Sequence, residues 1–151
     1  MWVKKGVKNA KYSDDQLETE ILLNWTRLFF LDGPTKCGKT HFLKHMNSES
    51  VLISPFCIVQ EELFDCLKKN DSLESFYDTI DQKFNCKILG LEDIDISLAG
   101  KHHTQGVIAI LLNRLCRSRK IILTGIDIDK RCNELLRSLG LQNYVYYQYV
   151  K

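Results

Sequence analysis

Five short apolar runs divide the chain: LFFLD at 28–32, VLI at 51–53, CKILGL at 86–91, KIILTG at 120–125 and YVYYQYV at 144–150. Runs this brief, bounded by Gly, Pro or polar turns, read as buried strands. Helical stripes fill the intervals. The capping box Ser13-Asp14-Asp15-Gln16 starts a helix over 14–25, with Leu17, Ile21, Trp25 and Leu28 at helical spacing behind it. A second helix opens over 40–46. Val59, Leu63, Phe64 and Leu67 form a third stripe. Asp71 and Glu74 make another capping signature, ahead of Leu73, Phe76, Tyr77, Ile80 and Phe84. Val107, Ile108, Leu111, Leu112 and Leu115 follow the polar link AGKHHTQ, and Ile128, Cys132, Leu135, Leu136 and Leu139 mark one last short helix. Strands alternating with helices predict an α/β domain, a five-stranded parallel sheet with helices on both faces and right-handed crossovers. Residues 1–13 lack periodicity and read as a flexible arm, leaving 14–151 as the folded domain.

Composition narrows the function classes. The chain has 151 residues, enough for one core, and is 44% hydrophobic and 26% charged, as soluble globular proteins are. The net charge of +2 argues against a dedicated nucleic-acid binder, so Lys68-Lys69 and the cluster Arg114, Arg117, Arg119 and Lys120 read as solvated faces. Six cysteines, at 37, 57, 66, 86, 116 and 132, form no C-x-x-C pair and read as reduced thiols. His41 and His45 stand at i, i+4 without the glutamate of a zinc-protease motif, and no four-ligand set is visible. The first residues carry no apolar run of a signal peptide, and no stretch reaches the ~20 apolar residues of a membrane span. The expected location is the cytoplasm.

The first apolar run leads directly into GPTKCGKTHF, which fits G-x-x-x-x-G-K-[ST] from Gly33 to Thr40. Strand, glycine loop and helix in that order form a phosphate cradle: successive backbone N–H groups point inward and the helix adds its positive end. Gly33, Pro34, Thr35, Lys36, Cys37, Gly38, Lys39, Thr40 and His41 are therefore the candidate nucleotide-binding residues. Lys39 is expected on the β- and γ-phosphates and the Thr40 hydroxyl on Mg²⁺. Such a site needs acids at the end of a neighbouring strand. KILGLEDID supplies Glu92 and Asp93, one for the metal or its water shell and one to polarise an attacking water. Thr124 and Asp127, at the end of the fourth run, are candidates to face a γ-phosphate.

The segments FFLDGPTKCGKTHFLKHM and EDIDISLAGKHHTQGVIAILLNRLCRSRKIILTG resemble the Walker A and Walker B regions of the DnaA/Hda family of AAA+ ATPases. The likeness covers roughly residues 14–150. It implies a three-layer αβα base subdomain that binds ATP or ADP with Mg²⁺. Glu92 and Asp93 fall on the Walker B acid pair, although the usual leading residue is Asp. Arg137, in LLRSLG, lies near the family's arginine finger. The chain ends at the fifth strand, where the family continues into a helical lid. The resemblance implies a regulator of chromosomal replication initiation that contacts a DnaA-like initiator, with the sliding clamp and self-association as further possibilities. Without the family's lid, water reaches the site, so slow ATP hydrolysis at most is expected. Two other readings remain open: an active small P-loop NTPase or phosphotransferase, and an interaction module whose loop is vestigial.

Overall fold

The computed structural model describes residues 1–46, 51–95 and 102–151. Its elements are β1 (Trp2–Lys4), β2 (Lys11–Tyr12), α1 (Asp14–Leu23), β3 (Leu28–Asp32), α2 (Lys39–His45), β4 (Val51–Pro55), α3 (Cys57–Lys68), α4 (Leu73–Lys83), β5 (Ile88–Glu92), α5 (His102–Leu115), β6 (Lys120–Gly125), α6 (Ile128–Arg131), α7 (Asn133–Leu139) and β7 (Val145–Tyr149). One sheet runs in the order β2-β1-β7-β3-β6-β5-β4. The five expected strands are present as β3 to β7, and every pairing among them is parallel.

The sheet nevertheless has seven strands, which corrects the expected five. The extra two come from the segment read as an arm: β1 pairs antiparallel with β7, and β2 with β1. Trp2 is 1% exposed there, packed edge-on to Tyr149 and donating its indole N–H to Asp14 at 3.1 Å. Two- and three-residue strands leave no alternation to read, so periodicity could not reveal them.

Residue alternation along β3 explains why both faces of the sheet are covered. Leu28 and Phe30 enter the core shared with α3, α4, α5 and α7, whereas Phe29 and Leu31 enter the core shared with α1 and α2. All five residues of β3 are buried. A strand apolar on both faces belongs at the centre of a parallel sheet.

Helix ends follow local chemistry. Ser13 and Gln16 form the expected capping box, with Ser13 Oγ accepting from the Gln16 N–H at 3.3 Å and Gln16 Oε1 accepting from the Ser13 N–H at 2.9 Å. The helix stops at Leu23, two residues early, because the Lys120 ammonium donates to the carbonyls of Ile21, Leu22 and Asn24 at 2.7–2.9 Å. Trp25 is left outside the helix and 84% exposed. At α4 the cap is Ser72 rather than Asp71; its hydroxyl accepts from the Ser75 N–H at 3.2 Å. The last helix is broken into α6 and α7 at Cys132. The polar link AGKHHTQ lies outside the described residues up to Lys101, and its last four residues begin α5.

The basic cluster does structural work. Arg114 makes a bidentate pair with Glu74 at 2.6 and 2.7 Å, over the Tyr77 ring. Arg119 is buried between Asp81 and the Phe84 carbonyl. With Lys120 donating to the carbonyls at the end of α1, three of its four charges are engaged within the chain, the Arg114–Glu74 pair at the surface.

Candidate functional site

The loop between β3 and α2 is shaped by close approach. Gly33 lies so near its neighbours that a Cβ there would sit 2.6 Å from Cys37 Sγ and 2.9 Å from Tyr149 Cβ. Gly38 has φ +104°, a conformation open to glycine and costly to other residues. The Gly33 N–H donates to the Gly125 carbonyl at 3.1 Å, tying the loop's start to the end of β6. Gly38 caps α2 without any side-chain acceptor. The first-turn amides at Lys39, Thr40 and His41 therefore lack intrahelical partners and can meet an anion.

A cavity of about 360 Å³ opens over these amides, lined by Thr35, Lys36, Gly38, Lys39, Thr40, His41, Asp93 and Ile126. Asp93, sixty residues after Gly33 in the sequence and directly after β5, is thus brought to the loop across the intervening β6. Its backbone is left-handed, φ +59°, and its N–H donates to Thr124 Oγ1 at 3.4 Å. The turn is pinned again by the Ile94 N–H donating to the Thr124 carbonyl at 2.8 Å. Thr124 itself is 1% exposed and holds this turn from below.

Lys39 is buried and folded back on the loop. Its ammonium donates to the Gly33 carbonyl and, at 2.9 Å, to the Pro34 carbonyl, with Cys37 Sγ at 4.0 Å. A phosphate would compete with these carbonyls for the same charge.

The remaining predicted residues stand apart from the cavity wall. Gly33, Pro34 and Cys37 belong to the loop but do not line the cavity. Glu92 ends β5, and its Oε1 is buried with no hydrogen-bond partner among the described residues. An orphaned carboxylate oxygen is costly and suits a site that acquires a donor or cation on loading. Arg137 lies on α7 with its side chain 75% exposed, paired with Glu134 at 3.2 Å. Asp127 is exposed, with its N–H donated to Asp32.

Two contributors escaped the motif. Ile126 supplies an apolar wall from the β6–α6 turn, a position that residue type alone does not signal. Asp32, directly before Gly33, is 4% exposed and accepts from the Asp127 N–H at 3.0 Å, the Ile128 N–H at 3.2 Å and the Tyr146 hydroxyl. An acid closing an otherwise apolar strand was the available signal. Burial, with the Asp32 hydrogen bond second, pushes the Tyr146 hydroxyl's pKa well above the tyrosine range.

The fold is shared with replication initiators. A DNA replication initiation factor superposes with a TM-score of 0.62 at 19% identity, over 91% of this chain and 47% of its own. AMPPCP-bound DnaA from Aquifex aeolicus gives 0.62 at 21% identity, over 86% of this chain and 44% of its own. The replication initiator DnaA bound to AMPPCP and single-stranded DNA gives 0.61 at 20% identity, over 91% and 44%. The chain spans less than half the length of each. No family profile and no curated protein matches it. The class is therefore a mixed α/β fold, a seven-stranded sheet covered on both faces, similar to the AAA+ domain of DnaA.

Proposed function

We propose that the chain is an adenine-nucleotide-binding protein of the DnaA/Hda kind that regulates chromosomal replication initiation. The observation that carries this reading is one cavity lined together by Lys39, Thr40, uncapped loop amides and Asp93. The residues fit a nucleotide with Mg²⁺: an anion-binding turn, a hydroxyl and a carboxylate lining one cavity, and an orphaned Glu92 oxygen next to Asp93 in sequence. ATP or ADP would supply the phosphates, and Mg²⁺ would neutralise them. In this reading Gly33 and Gly38 shape the turn, Lys39 holds the phosphates, and Thr40 with Asp93 holds the metal or its water shell. Glu92 orients water, and Arg137 reaches a neighbouring subunit. The nucleotide-binding domain proposed over 14–151 is extended by β1 and β2, which join its sheet at β7.

Hydrolysis is slow in this reading. Thr35, Lys36, Thr40, His41 and Asp93 are all solvent-exposed. Preorganised dipoles act most strongly where water is excluded, and this site is wet. The AMPPCP-bound and DNA-bound DnaA neighbours support the nucleotide and the replication context. A DnaA-like initiator is the proposed partner, and the sliding clamp a further one.

Calorimetric titration with MgATP and MgADP tests the reading. We expect saturable binding that Lys39→Ala abolishes while far-ultraviolet circular dichroism is unchanged. Binding that survives Lys39→Ala, or none in the parent protein, sinks it. One observation favours a contact module as the second reading: Leu23, Trp25 and Leu141 are each more than four-fifths exposed, at 81%, 84% and 83%.

A further inference from the structure

Away from the phosphate loop, α1 and α2 bring three metal-ligating side chains to one point. Asp15 and Glu18 stand at i, i+3 on α1 and so share a helix face. His45 is the last residue of α2. Its Nε2 lies 2.9 Å from Asp15 Oδ1 and 3.9 Å from Glu18 Oε2, and the three ligand atoms all lie within 4.8 Å of one another. The donors come from two elements, with His45 30 positions beyond Asp15, so no spacing motif announces them.

From this juxtaposition we propose a binding site for a divalent first-row transition-metal ion, held by Asp15, Glu18 and His45, that clasps α1 to α2.

An ion pair explains the arrangement less well than a cation does. Both carboxylates converge on the same imidazole nitrogen, and one N–H can be donated fully to only one acceptor. Two carboxylates on adjacent turns also repel. A cation at the centre meets all three donors at once. Bonds of about 2.0–2.2 Å to nitrogen and oxygen require ligand-to-ligand edges of about 2.8–3.6 Å. The 2.9 Å edge already fits, and the 3.9 Å edge closes with a small rotation of Glu18. No described lysine or arginine pairs with either carboxylate.

The donor set selects the ion class. One imidazole with two carboxylates suits Zn²⁺, Co²⁺, Ni²⁺ or Mn²⁺, whereas Mg²⁺ and Ca²⁺ prefer oxygen alone. No thiolate belongs to the set. The Asp15 and His45 side chains are 87% and 45% exposed, which leaves an entry path and room for water ligands. The clasp would act at the far end of the helix that begins at the phosphate loop. His41, one turn back, stacks on His45 with ring centroids 6.3 Å apart and also lines the cavity. The site needs no nucleotide, so it stands or falls independently of the function proposed above.

Co²⁺ titration of the purified chain, followed by calorimetry and visible absorption, tests it. We expect one ion per chain with nitrogen and oxygen ligation and no thiolate charge-transfer band. His45→Ala and the isosteric Glu18→Gln should each weaken binding at least ~10-fold, with circular dichroism confirming the fold. Cys57→Ser should leave affinity unchanged. Absence of binding, a thiolate band, or affinity unchanged in both His45→Ala and Glu18→Gln overturns the site.

Discussion

Asp32 joins three parts of the molecule through one carboxylate. Its two oxygens serve the turn that carries Ile126, the start of α6 and the hydroxyl of β7's Tyr146. Removing a buried charged acceptor leaves its donors without partners, which costs more than the bonds themselves contribute. Asp32→Ala should therefore lower unfolding free energy by about 2–4 kcal/mol in urea titration, with Asp32→Asn losing less. A loss within error for Asp32→Ala would show that water replaces the carboxylate. At this scale the loop residues were legible because their types and spacing are set by the phosphate they would hold. Asp32 was not, since its partners lie 95 to 114 positions away. Asp93 was legible as an acid after a strand, but its left-handed backbone, which turns it toward the loop, was not.

Elements show the same division between local and distant causes. The start of α1 could be read from Ser13 and Gln16 because a capping box is written within four residues. Its end could not, because Lys120 closes it from nearly a hundred residues away. Burial lowers the Lys120 pKa, so this ammonium is partly stripped of water and leans on the three carbonyls it meets. Lys120→Met keeps the length and removes the donors. It should cost about 1–2 kcal/mol and raise amide exchange in the last turn of α1. Exchange unchanged at Leu22 and Leu23 would assign the helix end to some other cause. The same logic explains the missed β1 and β2, which pairing with β7 creates and no local pattern foreshadows.

For the molecule as a whole, alternating strands and helices were enough to read the parallel sheet, because each crossover buries one amphipathic stripe. Strand order and the coverage of its edge emerge only from packing. Several groups held neutral inside this packing set the response to alkali. Burial pushes Cys116 up to about 12, and carries Tyr146 and Tyr147 well above the ordinary tyrosine value. The unfolded chain releases these protons near ~8.5 for cysteine and ~10 for tyrosine. Above those values the folded state binds more protons than the unfolded one, so stability falls as pH rises. Urea midpoints should decline from about pH 9 and steepen above about pH 10. Tyr147→Phe should flatten the steep limb, and a midpoint independent of pH up to 11 would contradict the buried-neutral assignment.

The strand order also sets a timetable. The strand that leads into the candidate phosphate loop, β3, is flanked by β6 and β7, which are synthesised after every other described strand. Synthesis proceeds at roughly 5–20 residues per second, so Phe29, Phe30 and Leu31 wait for several seconds without their neighbours. The cradle is encoded early and assembled late. A nascent chain halted before Lys120 would carry that apolar strand with both edges open, which makes it a natural client for chaperones.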